Sequence, residues 1–148
     1  MKKRLLEILV VAMALALAPA TAMAKVNPDM PVPIGVSASA NSSGSGSLSW
    51  VIANSYIYPV TSRIEYRERQ NGGTWGAWSL WSASFGVVPA GSNAAFEFIL
   101  SFFNPDPAIE RQFRVRTEYQ VYFNGYPLKL HYSYWAQSNV FTTGPPIG

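Results

Sequence analysis

The sequence contains no cysteine and a single histidine, His131, and these shortages exclude several kinds of site at once. Without cysteine there is no disulfide framework and no thiolate to bind a metal or attack a substrate, and one histidine cannot form a metal-binding pair. Charged residues are also few, at 13% of the chain. The fold must therefore depend on buried apolar area, for which 8 Phe, 8 Tyr and 5 Trp provide the material.

The longest apolar run lies near the N-terminus and has the composition of a secretory leader. Residues 2–4 are basic, residues 8–18 are apolar without interruption, and residues 22–24 read Ala-Met-Ala, a small-x-small cleavage site. A membrane span needs about 20 apolar residues, so an anchor fits this run less well than a signal peptide over 1–24. We expect cleavage after Ala24, export to the periplasm or the exterior, and no membrane span afterwards.

The leader also accounts for most of the chain's basic character. The whole sequence has 11 Lys+Arg and 8 Asp+Glu, and residues 1–24 hold three of the basic residues and one of the acidic ones. Residues 25–148 therefore carry 8 basic and 7 acidic side chains, a net charge of +1. A charge so close to zero does not indicate nucleic-acid binding, and we expect no nucleic-acid partner.

Residues after the leader have almost no helical spacing. Short alternating apolar and polar runs are separated by clusters of Gly, Pro, Asn and Ser, which is typical of an antiparallel sandwich or barrel. We expect an all-β fold, a two-sheet antiparallel sandwich of about seven strands over 34–143, between an extended proline-rich lead-in over 25–33 and a tail over 144–148. The expected strands are 34–40, 48–52, 60–70, 75–85, 94–102, 113–121 and a last one ending at Thr143; the expected core is Trp50, Ile64, Phe96, Phe98, Phe113 and Val115.

Four segments of the chain resemble the fibronectin type III family in their order and spacing. They are Trp50 in the second strand, Arg63-Ile64-Glu65-Tyr66-Arg67 followed by Gly72-Gly73-Thr74-Trp75, Phe113-Arg114-Val115-Arg116-Thr117, and Ser138-Asn139-Val140-Phe141-Thr142-Thr143. The resemblance implies a seven-stranded sandwich with Trp50 in its core. The Arg-Gly-Asp tripeptide that some members use for cell adhesion is absent, so the resemblance does not imply that activity.

Motifs of the common catalytic classes are missing: there is no His-x-x-x-His, no nucleophile elbow and no phosphate-cradling glycine loop. Glu65 and Glu118 could face each other as a hydrolytic carboxylate pair. Both stand among arginines in the sequence, however, and cross-strand ion pairs explain them better. We therefore expect that the chain is not an enzyme and has no cofactor and no metal site.

The sharpest local motif is Trp78-Ser79-Leu80-Trp81-Ser82, preceded by Trp75. Residues three apart align on one side of an extended left-handed helix, and guanidinium planes stack well on indole faces. The spacing therefore predicts a stack of arginines and tryptophans, and the alternative is an ordinary edge strand whose rings cover the core. The residues of the predicted stack are Trp75, Trp78, Trp81, Arg63, Arg67, Arg114 and Arg116.

A second aromatic cluster surrounds Asn124-Gly125, the strongest hairpin signal in the chain. Alternate positions of a strand point to opposite faces, so these rings cannot all enter one core. We expect the outward rings to form a binding surface, the alternative being a hairpin that extends the core. The residues of this surface are Tyr122, Phe123, Tyr126, His131, Tyr132, Tyr134 and Trp135.

These features together favour an exported, non-catalytic binding module that mediates protein–protein interaction in the cell envelope or outside the cell. Its expected partner is another protein or a second copy of the chain. Two alternatives remain: a carbohydrate-binding module that uses exposed Trp and Tyr rings, and a subunit of an exported assembly built by strand addition.

Overall fold

A computed structural model describes residues 24–103 and 105–143. The segment expected to be a leader, apart from Ala24, and the expected tail over 144–148 lie outside the described residues. The described chain is all-β, and its ten strands are β1 (Lys25–Val26), β2 (Ile34–Ala40), β3 (Ser45–Ala53), β4 (Val60–Gln70), β5 (Ser79–Val88), β6 (Asn93–Ser101), β7 (Ile109–Phe123), β8 (Tyr126–Tyr132), β9 (Ala136–Gln137) and β10 (Phe141–Thr142).

The strands form two sheets. The larger sheet has seven strands, in the order β1-β8-β7-β4-β5, with the short strands β9 and β10 also paired to β7. The smaller sheet has three strands, in the order β2-β3-β6. All pairings are antiparallel except that of β1 with β8, which is parallel. The long strand β7 is the organising element, because β4, β8, β9 and β10 all pair with it.

The core lies between the two sheets and is formed by the inward phase of each alternating strand. Trp50 is 1% exposed, and its indole nitrogen donates a hydrogen bond to Ser62 Oγ at 3.1 Å, which satisfies the one polar atom of the ring. Burying nine large apolar side chains in this way is the main favourable term for the fold. They are Leu48, Trp50, Ile52, Val60, Ile64, Val88, Leu100, Phe113 and Val115, each at most 1% exposed.

Two residues of the expected core, Phe96 and Phe98, are only partly buried. They lie on β6, an edge strand of the smaller sheet, and contact Phe85 at ring-centroid distances of 5.9 and 4.9 Å. Phe96 is packed so closely that a Cβ at Gly86 would lie 2.5 Å from its ring, and Gly86 also has a φ of +65°. These rings therefore form the margin of the core.

The expected number of about seven strands was too low, because the last expected strand is divided into β8, β9 and β10. The breaks occur at Ser133 and Ser138, whose hydroxyls accept hydrogen bonds from the backbone amides of Thr117 and Phe113, both at 3.0 Å. A serine side chain thus replaces a backbone carbonyl as the partner of β7. The lead-in also differs from the expectation, since Lys25 and Val26 form a strand beside His131 and Tyr132.

The expected strand over 75–85 begins later, at Ser79. Residues 74–78 precede β5 and are not part of a strand, although the Gly76 amide donates a hydrogen bond to the Glu68 carbonyl at 2.9 Å. Trp75 and Trp78 therefore lie outside the paired strands of the sheet, whereas Trp81 is within β5. This difference decides which of the three rings reaches the outer face.

Candidate functional site

A continuous stack of guanidinium groups and aromatic rings crosses the outer face of the seven-stranded sheet. Each guanidinium carbon lies 4.0–4.5 Å from the centroid of a neighbouring ring. We call this stack the ladder, and its members in order are Arg69, Trp75, Arg67, Trp78, Arg114, Trp135, Arg116 and Tyr132. Each contact of this kind is worth about 0.5–1 kcal/mol at an exposed site and more when it is desolvated.

Every ladder arginine is also hydrogen-bonded to a neighbouring side chain. Three of the acceptors are glutamates, so much of the positive charge is neutralised within the face itself. The pairs are Arg69–Glu110, Arg67–Gln112, Arg114–Glu65 and Arg116–Glu118. Each ladder arginine thus combines a side-chain hydrogen bond with its ring contacts, and these links make the ladder a brace for the sheet.

Two of the residues expected in the stack lie elsewhere. Trp81 points into the core, where its ring meets those of Tyr66 and Phe113 edge-on at 5.1 and 5.3 Å. The reason is that the repeat changes from three residues to two where β5 begins, so Trp78 and Trp81 face opposite ways. Arg63 makes no ring contact among the described residues; it donates to Glu65 at 3.0 Å.

Three ladder members were not assigned to the stack from the sequence. Arg69 shares the outward phase of β4 with Arg67, so the alternation of that strand was a signal that could have identified it. Trp135 and Tyr132 were expected in the binding surface around the hairpin. Nothing in their spacing shows that the chain breaks after β8 and returns Trp135 to the arginines of β7.

Glu65 is a buried acid of the ladder face, at 9% exposure. Burial raises the pKa of its carboxyl group, but hydrogen bonds from Arg114 (2.9 Å from Nε) and Arg63 outweigh that effect and hold the pKa below its ordinary value. Glu65 and Glu118 are each committed to arginines, and Glu118 lies level with Thr61 in the sheet. Arg114 pairs with Glu65 across adjacent strands, whereas Arg116 pairs with Glu118 within β7, so both acids have the contacts of structural ion pairs.

The hairpin of β7 and β8 extends beyond the rest of the sheet. The last pair between β4 and β7 is Thr61 with Glu118, and from Tyr119 to Phe123 the only described partner of β7 is β8. We call this two-stranded projection, residues 119–130, the ribbon. Its turn residues Asn124 and Gly125 have φ values of 49° and 80°, the left-handed pair that a two-residue hairpin turn requires.

The end of the ribbon carries four large apolar side chains that remain in solvent. Tyr122 and Phe123 are each 64% exposed, Tyr126 is 67% exposed and Leu128 is 45% exposed. We call these four residues the tip cluster. Neighbouring residues of a strand point to opposite faces, so the equal exposure of Tyr122 and Phe123 means that both faces of the ribbon are apolar and bare.

The seven residues of the expected binding surface therefore fall into separate groups. Tyr122, Phe123 and Tyr126 are in the tip cluster, and Tyr134 is exposed by itself at 58%. Tyr132 and Trp135 are ladder members. His131 is half-buried at the base of the ribbon, with its Nδ1 atom buried and without a described hydrogen-bond partner.

The base of the ribbon is held on one side by tyrosines and has positive charge on its outer strand. The ring of Tyr119 stacks on that of Tyr58 at 4.6 Å. Burial lowers the pKa of His131, and the charges of Lys129 and Lys25 lower it further, which places both lysines close to that imidazole. The sequence from 119 to 148 contains no Asp or Glu.

A groove of about 440 Å³ lies beside the ribbon, on the outer face of the larger sheet. Its walls include β5 residues on one side and ribbon residues on the other. Arg63, Glu118 and Tyr122 are among the residues that line it. It begins where the ladder ends and opens toward the tip cluster.

Within residues 24–103 and 105–143, no group of three or more His, Asp or Glu side chains is placed to hold a metal ion. The same part of the chain contains no helix long and apolar enough to cross a membrane.

The chain matches no family model and no curated protein sequence. Among solved structures it is similar to an alkylpurine DNA glycosylase, AlkC, from Pseudomonas fluorescens, solved bound to DNA that contains an abasic site analogue. The two chains are 13% identical, with a TM-score of 0.36; the likeness covers 74% of this chain and 29% of the glycosylase. The chain thus spans less than a third of the length of that protein.

This comparison corrects three expectations drawn from the sequence. The similar protein is an enzyme and was solved with DNA, against our expectations of a chain that is not an enzyme, binds no nucleic acid and acts as an exported protein-interaction module. Those expectations, with the carbohydrate and assembly alternatives, are withdrawn. At a TM-score of 0.36 the likeness assigns neither DNA binding nor glycosylase chemistry to this chain.

Proposed function

We propose that this chain is a fibronectin type III-like sandwich, exported behind a leader over 1–24, whose ribbon tip binds the interfacial layer of lipid bilayers. The sheet order supports the fold assignment: β2-β3-β6 packs against a sheet in which β5, β4, β7 and β8 follow one another, with Trp50 buried on β3. The observation that carries the function is the tip cluster, apolar on both faces and projecting beyond the sheet.

The exposure of both faces favours lipid over a protein surface as the occupant. A flat partner would cover one face of a two-stranded ribbon and leave the alternate residues in water. A bilayer interface surrounds an inserted tip on all sides, and so covers Tyr122 and Phe123 together. Tyrosine is also favoured at such interfaces, because its ring lies among apolar groups while its hydroxyl stays hydrated.

The charge of the ribbon supports the same occupant. Lys129 is on β8 and Lys25 on the neighbouring strand β1, and no acidic residue follows Glu118 in the sequence. A lysine near an anionic lipid surface contributes about 1 kcal/mol of attraction. Anionic lipid should therefore strengthen a contact that the aromatic rings make with any bilayer.

Vesicle sedimentation tests the proposal. The chain is recovered from an exporting host, and mass spectrometry confirms that residues 1–24 are absent, because an apolar leader would bind lipid by itself. We expect the wild type to sediment with vesicles, and more strongly when they contain anionic lipid. Replacing Tyr122, Phe123 and Tyr126 together by serine should weaken binding by at least about tenfold, since three large rings lose their burial.

The matched control is Ile99→Ser, which removes an equally exposed apolar side chain (71%) on the outer face of the smaller sheet. It should bind vesicles as the wild type does. Replacing Lys25 and Lys129 by glutamine should remove the advantage of anionic lipid and leave the remaining binding in place. Equal binding by the wild type and the triple serine variant, or no binding by the wild type, would refute the proposal.

A further inference from the structure

The groove beside the ribbon changes in polarity along its length. Strand register orders its lining from the ladder to the tip: Arg63 first, then Thr61, Glu118 and Val87, then Leu130, and last Tyr122. The end near the ladder is therefore charged, whereas the end near the tip cluster has no charged side chain and is lined by Leu130, Tyr122 and the uncharged Gln120. A groove of this kind matches an amphiphile whose polar group lies away from the tip.

Two charged side chains at the polar end have unused hydrogen-bonding capacity. Arg63 donates from Nε to Glu65, and no described residue accepts from its two terminal nitrogens. Glu118 Oε2 accepts from Arg116 Nε at 2.8 Å and lies 2.7 Å from Arg116 Nη2 in an ion pair, and no described residue donates to Glu118 Oε1. The two residues occupy diagonal positions on adjacent strands, about 7–8 Å apart at Cα, and share the outward face.

Because the Glu118 carboxylate and the Arg63 guanidinium lie close together, a ligand that carries both a positive and a negative charge fits this end of the groove. Terminal guanidinium nitrogens bind phosphate through paired, charge-assisted hydrogen bonds. A free carboxylate oxygen accepts a charge-assisted hydrogen bond from a primary ammonium, which has three N–H donors. Phosphatidylethanolamine carries a phosphate and a primary ammonium two carbons apart, joined to acyl chains.

We infer that the groove is a headgroup site for phosphatidylethanolamine, with the phosphate on Arg63 and the ammonium on Glu118. The inference rests on the proposed function, because the tip must lie in the bilayer to bring a headgroup to the groove. The groove thus gives the ribbon a lipid preference that aromatic rings alone do not provide.

The test compares vesicles of phosphatidylcholine alone with vesicles in which part of it is replaced by phosphatidylethanolamine. Both lipids are zwitterionic and carry the same phosphate, but the choline group has no N–H to donate to Glu118. We expect the wild type to bind the mixed vesicles about tenfold more tightly. Glu118→Gln should lose that difference and keep the wild-type affinity for phosphatidylcholine, whereas Arg63→Gln should lose the difference and also bind phosphatidylcholine less tightly, because both lipids carry the phosphate.

The triple serine variant of the tip separates this inference from the proposed function. Loss of binding to both vesicle types by that variant, with a preserved lipid preference in Arg63→Gln and Glu118→Gln, would leave the tip function standing and overturn the headgroup site. A preference that survives in both variants would then come from the packing of the ethanolamine lipid itself. No vesicle binding by the wild type would instead overturn the proposed function.

Soluble phosphoethanolamine gives a measurement that needs no variant and so leaves the bond between Glu118 and Arg116 in place. Titrated into the wild type, it should shift the backbone amide resonances of Thr61 and Val87 and should compete only with the ethanolamine-dependent part of vesicle binding. An absence of shifts at these residues would overturn the site. An affinity for the soluble compound equal to that for the lipid would overturn the assignment to a lipid.

Discussion

The ladder and the tip cluster are two aromatic surfaces of the same sheet, and they differ in what lies beside the rings. In the ladder, Trp78 and Trp135 lie on either side of Arg114, at 4.4 and 4.1 Å. The tip cluster lies beyond the end of β4, so no β4 residue is beside its rings. They remain about two-thirds exposed, at Tyr122, Phe123 and Tyr126. Similar side chains thus brace the sheet in one place and remain free to bind in another, depending on whether an arginine-bearing strand is adjacent.

The largest expected effect separates the core from the tip. Phe113→Ala should lower the free energy of unfolding by about 3–5 kcal/mol, because Phe113 is fully buried and meets Tyr66, Trp81 and Phe141. The same change at the tip, Phe123→Ala, should cost within about 0.5 kcal/mol. Urea unfolding of both variants measures the difference, and similar losses would mean that the ribbon is part of the core.

The next effect tests whether the ladder is a brace. Arg114→Ala removes the stacking on Trp78 and Trp135 and one of the two partners of Glu65, so we expect a loss of about 2–3 kcal/mol. The control is Arg63→Ala, which also removes an arginine from Glu65 but stacks on no described ring, and should cost under about 1 kcal/mol. If thermal unfolding shows equal losses, the stacking contributes little.

The smallest effect is the acid dependence of the ladder. Glu65 has a pKa below its ordinary value in the folded chain, so the folded state holds fewer protons there than the unfolded state. Its stabilising contribution should be complete above the ordinary glutamate value of about 4.3 and should be lost as pH falls through the lower folded pKa. Unfolding followed against pH should therefore show a shallower acid slope in Glu65→Gln, while Glu97→Gln, on the smaller sheet, should keep the wild-type slope.

Much of the fold was predictable because strand signals are local. Val60–Gln70 and Ile34–Ala40 have the predicted bounds, and the Asn124-Gly125 turn has the conformation that its two residues favour. The site was less predictable. Trp75 and Trp78 were expected beside arginines and lie there, whereas Trp81 was assigned to the wrong face because its spacing gave no sign of where β5 begins.

The sequence by itself determined the alternation of each strand, the positions of the turns and the richness in aromatic rings, since these depend on residues close together in the chain. Only the tertiary structure decided which rings are covered. Trp135 joins Arg114 and Arg116 because the chain breaks at Ser133 and returns across β7, and Tyr122 is bare because β4 ends its pairing at Glu118. Both outcomes depend on which strands become neighbours and how far they run together, and no local spacing of residues specifies either.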